Sequence, residues 1–290
     1  VSDLDQSRPD PALDQSSLER RHAVGAYFRL ERWEIPAVPD GGPFPTIGGR
    51  APLDRHQRGA GGGLRTGALL TSIDSLGGLL CGLSVQPEWI VTTSLMATVA
   101  RLSQVGPLRF HGRVLRRGRS AVVAALDVVD EGAADQAVAS AVLTCAVLDP
   151  GDMDLRFARP AIVPMPPPDP DPLAPEEFFR IEPGTGPVTR LELADHLRNP
   201  WGILHGGAVA MLADVASCRA VSSQRDHAHG AVAAADTVLH YLRPIKVGPV
   251  EARCRVLGGS TGRTVVRVAI HDVGNDDRLA TVGTVTVLDV

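Results

Sequence analysis

The sequence predicts an α+β chain made of two tandem units, each a curved antiparallel sheet wrapped around one central helix. A run at 64–83 (LRTGALLTSIDSLGGLLCGL) is apolar nearly all round, so a helix there must be enclosed by other structure. Four runs rich in Val, Ala, Leu and Thr follow it, each of strand length and separated by turns such as Arg117-Gly118 and Glu131-Gly132. The second half of the chain then repeats the first.

Residues 1–24 are rich in Asp, Pro, Ser and Gln and are expected to be a disordered tail. From Gly25, AYFRLERWEI alternates apolar and polar side chains as a half-buried strand does. The Pro/Gly-rich passage at 36–63 shows no periodicity, and it is too long for an ordinary connection, which suggests a lid or a mobile insertion. After the helix, strands are expected at 89–100, 108–115, 120–129 and 137–148, completing a first unit over 25–149. Residues 150–177 read as an extended linker, with nine prolines between 149 and 177. A second unit occupies 178–290.

The repeat can be followed residue by residue. FFRIE at 178–182 echoes YFRLE at 27–31, and LRTGALLTSID ending at Asp74 lies over LHGGAVAMLAD ending at Asp214, an offset of 214 − 74 = 140. Further on, VGP at 105–107 lies over VGP at 247–249, an offset of 142, and both halves close on VLD at Asp149 and Asp289.

Composition narrows the setting. Of 290 residues 44% are hydrophobic but only 4% aromatic, so the core must be aliphatic, and a net charge of −4 with a pI near 6.1 offers no broad basic face for nucleic acid or membrane. Cys81, Cys145, Cys218 and Cys254 are scattered, without a C-x-x-C pair, and read as small hydrophobes in a reducing compartment. The polar, acidic start is unlike a signal peptide, and no segment is expected to reach the roughly 20 apolar residues of a membrane span. A cytoplasmic location is the expectation.

The most specific stretch is NPWGILHGGAVAMLAD at 199–214. Gly206 and Gly207 stand at the mouth of an apolar helix, where bare backbone N–H groups and the helix dipole favour a ligand oxygen that gains negative charge. The stretch resembles the loop-to-helix signature of hotdog-fold acyl-CoA thioesterases of the phenylacetyl-CoA thioesterase-like (PaaI-like) type. That signature has Asn, six residues on His-Gly-Gly, and Asp eight residues after the first of those glycines, and Asn199, His205, Gly206 and Asp214 fall on it. The resemblance implies a double hotdog in which each site takes Asn and His-Gly-Gly from one half and an acid plus a hydroxyl from the other.

On that pattern one assembly is complete: Asn199, His205 and Gly206 from the second half, Asp74 and Thr92 from the first. The other is not. Gly59, Arg65 and Thr66 replace the turn residues, and Ala234 stands where the hydroxyl should be, so Asp214, Arg65 and Thr66 mark a vestigial second site.

The resemblance implies hydrolysis of an acyl-CoA thioester with no metal or redox cofactor. Gly206 N–H would hold the developing oxyanion. Asp74, on an apolar helix, would act as a desolvated base toward water or attack the carbonyl itself. Thr92 would orient the water, Asn199 would fix the thioester or the loop, and His205 would hold the turn or touch the thioester. Gly207, Arg243 and Lys246 are candidates for substrate contact, the two cations toward coenzyme A phosphates, as are Arg116, Arg117 and Arg119 at a hairpin turn.

GAGGGLRTG from Gly59 fits no phosphate-loop pattern and reads as a flexible remnant of the lost turn, and His227 and His229 lack partners at metal-ligand spacing. The alternative reading is a hotdog protein that binds acyl-CoA or acyl thioesters without cutting them. A hydratase would require Asp and His five residues apart at the helix mouth, which this sequence lacks. Exposed sheet edges would permit a homodimer of double hotdogs.

Overall fold

The computed structural model describes residues 23–35, 44–149, 151, 161–224 and 231–290. The expected tail up to residue 22, part of the Pro/Gly-rich passage (36–43), part of the linker (150 and 152–160) and the pair His227/His229 lie outside the described residues.

The chain begins with a short helix, α1 (Ala23–Tyr27), and a strand, β1 (Glu31–Ile35). A single strand from Gly25 was the expectation; instead Arg29 takes φ 53° and ends the helical turn, and Val24 and Phe28, one turn apart, are both buried. β2 (Thr46–Ala51) then pairs with β1, inside the passage expected to be a lid or a mobile insertion. Its TIGGRA sequence has no alternation to read because glycine is needed twice. A Cβ at Gly48 would come 2.2 Å from the Trp33 ring, and one at Gly49 would come 2.6 Å from Leu76.

The first central helix, α2 (Thr66–Val85), leads into β3 (Trp89–Val99), β4 (Leu108–Arg117), β5 (Ala121–Asp130) and β6 (Gln136–Leu148), close to the expected spans. Along β5, Val122, Ala124, Leu126 and Val128 are buried and face α2, the period of two that a half-covered sheet requires. α2 meets by length and hydropathy the test for a membrane span, contrary to expectation, but 94% of its window is buried inside this fold.

The linker is extended but attached. Its strand β7 (Ile162–Val163) pairs with β1, Tyr27 Oη donates to the Leu173 carbonyl at 2.8 Å and Arg29 Nε to the Pro166 carbonyl at 3.0 Å. It therefore straps the first unit as it passes from one half to the other. A one-turn helix, α3 (Pro175–Phe178), delivers the chain to the second unit.

That unit comprises β8 (Ile181–Pro183), β9 (Val188–Leu191), the central helix α4 (Gly206–Ser222), β10 (Val232–Tyr241), β11 (Val250–Ser260), β12 (Arg263–Asp272) and β13 (Arg278–Asp289). The echoed segments are equivalent in three dimensions. Arg180 takes φ 52° where Arg29 takes 53°, and the Tyr27 and Phe178 rings stack with centroids 4.0 Å apart.

All strands belong to one 13-stranded sheet in the order β7-β1-β2-β4-β5-β6-β3-β10-β13-β12-β11-β9-β8. The halves join through the antiparallel β3–β10 pair, where Met96 lies opposite Val238. These two are equivalent at the offset of 142, so the pseudo-twofold axis passes between them. α2 and α4 each lie on their own half of the sheet and meet across the axis. Glycine allows the close approach: a Cβ at Gly207 would come 2.8 Å from Thr71 Cα, and one at the equivalent Gly67 would come 2.7 Å from Met211 Sδ. Each helix thus presents its N-terminus to the second turn of the other, and this crossing builds the two pseudo-equivalent sites.

Candidate active site

At the mouth of α4, Arg198 shapes the approach by donating to the carbonyls of Gly202 and Lys246. Asn199 Oδ1 accepts from Trp201 N at 3.0 Å and Ile203 N at 3.3 Å, so this side chain holds the loop. His205 is the N-cap.

Asp74 reaches this mouth from α2. It is 5% exposed, and both of its oxygens are engaged: Oδ1 accepts from Thr92 Oγ1 at 2.9 Å and Oδ2 from Gly207 N at 2.8 Å. Gly206 must be bare, because a Cβ there would lie 2.8 Å from each carboxylate oxygen. Its own N–H makes no hydrogen bond among the described residues and stays available at the positive end of the helix.

His205 Nδ1 lies 3.0 Å from Gly207 N and 3.2 Å from Asp74 Oδ2. One nitrogen cannot accept from the first and donate to the second at once. A proton on Nδ1 serves Asp74 and leaves Gly207 N–H to the carboxylate, whereas a bare Nδ1 accepts from Gly207 N. Burial holds the imidazole below the ordinary histidine value, against the pull of Asp74 and with Arg32 adding to the depression. Two supports have no signal in the motif. Tyr241 Oη, on β10, donates to the Gly206 carbonyl at 3.0 Å, and Thr71 Oγ1 donates to the Gly207 carbonyl at 2.9 Å.

The pseudo-equivalent site keeps the backbone but not the chemistry. Gly59 N donates to Gly63 O and Arg58 bridges Leu64, as Asn199 N donates to Ile203 O and Arg198 bridges Leu204, so GAGGGLRTG is an ordered turn where a flexible remnant was expected. Thr66 stands where Gly206 is bare, and its hydroxyl donates to the Ala234 carbonyl at 2.6 Å. Arg65 stands where His205 does and binds Glu176 at 2.7 Å. Burial alone would lower its guanidinium, but Asp214 and Glu176 overcome that and leave it raised. Asp214 is buried, has no hydroxyl neighbour equivalent to Thr92, and is pushed up to about 6, chiefly by desolvation and against the attraction of Arg65.

Arg243 is exposed and donates to the Leu279 carbonyl, and Lys246 flanks the turn through its backbone. Arg116, Arg117 and Arg119 are exposed at the β4–β5 turn. A surface cleft lined by Val188, Thr189, Arg219, Ser222 and Ser223 sits at the far end of α4, and 17 helical residues put it about 25 Å from the glycines. Among the described residues no group of three or more His, Cys, Asp or Glu could hold a metal ion, and the four cysteines are free.

Residues 202–278, which contain the His-Gly-Gly turn and α4, match the family model described as the thioesterase superfamily. No curated protein matches the chain. Among solved structures, the tesB protein of Mycobacterium avium subsp. paratuberculosis is similar over 93% of this chain and 99% of its own, with 12% identity and a TM-score of 0.57. A protein described as an oleoyl thioesterase from Lactobacillus plantarum is similar over 84% of this chain and 96% of its own, with 13% identity and a TM-score of 0.58. A hot dog fold protein from Alicyclobacillus acidocaldarius gives 84% and 93% coverage, 16% identity and a TM-score of 0.53. The architecture is that of a double hotdog.

Proposed function

We propose that the chain is an acyl-CoA thioesterase of the PaaI-like kind, hydrolysing its substrate to a carboxylic acid and coenzyme A at one composite site between its two hotdog halves. One observation carries this reading: an acid and a hydroxyl from one half meet a bare helix N-terminus and its histidine cap from the other, with Asp74 bonded to both Thr92 and Gly207. The match of 202–278 to the thioesterase superfamily supports the same class of reaction.

In this mechanism the thioester oxygen accepts from Gly206 N–H, where preorganised donors are typically worth about 3–4 kcal/mol in the transition state. Asp74 removes a proton from a water that attacks the carbonyl carbon. The tetrahedral intermediate collapses, the C–S bond breaks, and the proton passes to the leaving thiolate. Thr92 and Gly207 hold the carboxylate in place. Asp214, facing Thr66 and Arg65, takes no part.

Thiol release from short, aromatic and long acyl-CoA esters tests the proposal. Hydrolysis that Asp74→Ala abolishes and Asp214→Ala leaves within about twofold is the expected result. Tight binding of every ester with no thiol released would replace the hydrolase by a binding protein.

A further inference from the structure

Buried polar groups in folded proteins almost always have partners, so a donor left without one calls for a ligand or another explanation. Arg32 is such a group. It lies on β1 opposite Gly49, and Gly49 faces inward, because the Leu76 side chain occupies the place its Cβ would take. The alternation of the strand sends Arg32 to the same inner side as Glu34 and Ile47, toward α2.

The Arg32 side chain is half-buried and makes no hydrogen bond or ion pair among the described residues, and its Nε is cut off from solvent. Burial pulls its guanidinium below the ordinary arginine value with no carboxylate to restore it, and its charge is felt at His205. Trp201 Nε1, on the loop that Asn199 organises four residues before His205, is also buried and unpartnered, and its ring packs edge-on against Trp89. In the second half the echo of YFRLE by FFRIE places Pro183 where Arg32 stands, and the arginine of the pseudo-equivalent site, Arg65, is paired with Glu176.

We infer that Arg32 receives a carboxylate carried on the acyl portion of the substrate, so that the preferred esters are those of dicarboxylic acids. This rests on the thioesterase reading and specifies its substrate class. A fork of guanidinium donors matches a carboxylate in geometry as well as in charge, and a bound anion removes the cost of burying an unpaired cation. The coenzyme A phosphates are the other anions present, but they end a long pantetheine arm, whereas Arg32 lies under the sheet against the helix that carries Asp74.

The experiment compares succinyl-CoA with butyryl-CoA, which share every phosphate and differ in the terminal carboxylate. In the wild type kcat/KM for succinyl-CoA exceeds that for butyryl-CoA by about tenfold to a hundredfold, the range of a buried charge-assisted hydrogen bond, and Arg32→Met collapses the ratio toward one. Arg32→Met also melts no lower than wild type, because a half-buried cation without a partner does not stabilise the fold. A wild-type ratio at or below one, or a ratio unchanged by Arg32→Met, overturns the inference. Equal losses on both esters would assign the guanidinium to the coenzyme A phosphates, and a lower melting temperature with the ratio kept would make Arg32 structural. Either result also overturns the inference. If no ester releases thiol, the hydrolase reading fails while this inference stays testable, as the ratio of the two dissociation constants in wild type and variant.

Discussion

The Gly207 N–H donates to Asp74 Oδ2 at 2.8 Å although the two residues are 133 positions apart and belong to opposite halves of the chain. This bond joins the mouth of α4 to the helix of the other half. Asp74 is addressed by the N-terminus of a helix it does not belong to, where the dipole favours a negative charge. Its two oxygens are fixed by separate donors, and the neighbouring glycine N–H remains for the substrate.

The fixed carboxylate predicts the route of hydrolysis. Each Asp74 oxygen accepts one hydrogen bond and keeps a lone pair to take a proton from water, whereas an acyl bond at that oxygen would draw it away from its donor. A single turnover in ¹⁸O-labelled water with enzyme in excess is therefore expected to put the label in the product acid at once. Unlabelled acid from the first turnover, with label appearing in the enzyme, would show an anhydride instead.

Gly206→Ala is expected to abolish most activity. The new Cβ would press on both carboxylate oxygens at 2.8 Å, so Asp74 or the helix start must move. A fall in kcat of about 10²–10³ is the scale for losing an oxyanion donor, and a cost of about 1–3 kcal/mol in stability is the scale for overpacking. Wild-type kcat in this variant would remove Gly206 from the mechanism.

The buried acid beside the mouth of α2 makes stability depend on pH. The folded-state pKa of Asp214 is about 6 against a usual value of 3.8, so between these values the folded chain binds more protons than the unfolded one. Its contribution is fully present below pH 4 and is lost as pH rises through 6, a difference of about 3 kcal/mol at most. Asp214→Asn keeps the amide oxygen as an acceptor for Gly67 N and removes the ionisation. Urea melts from pH 4 to pH 8 are expected to show the loss in wild type and a flatter profile in the variant. Parallel profiles would show that Asp214 ionises freely.

Tyr241→Phe removes the hydroxyl that holds the Gly206 carbonyl from β10. One hydrogen bond of this kind contributes about 0.5–1.5 kcal/mol. A melting temperature lowered accordingly and a severalfold fall in kcat with KM little changed are expected. Unchanged kcat would limit Tyr241 to packing.

How much could be read in advance depended on whether a feature was local. Asp74 and Thr92 were legible because the repeat carries the turn of one half onto the other with two independent offsets, and the observed pairing of Met96 with Val238 follows the second. β2 was not, because its glycines answer to Trp33 and Leu76, residues 15 and 27 positions away whose approach no local pattern encodes. Tyr241 and Arg32 were missed for the same reason. Each reaches the site through strand register, while its own sequence neighbourhood reads as ordinary sheet. The linker was read from its prolines as extended, and its strap role depends on carbonyls that bind Tyr27 and Arg29 from outside it.

The division of labour between the halves is tested most directly by counting ligands. Calorimetric titration of the intact chain with a non-hydrolysable thioether analogue of its best acyl-CoA is expected to give one ligand bound per chain, because Thr66 and the Arg65–Glu176 pair fill the second mouth. Two equivalent ligands per chain would contradict a single composite site.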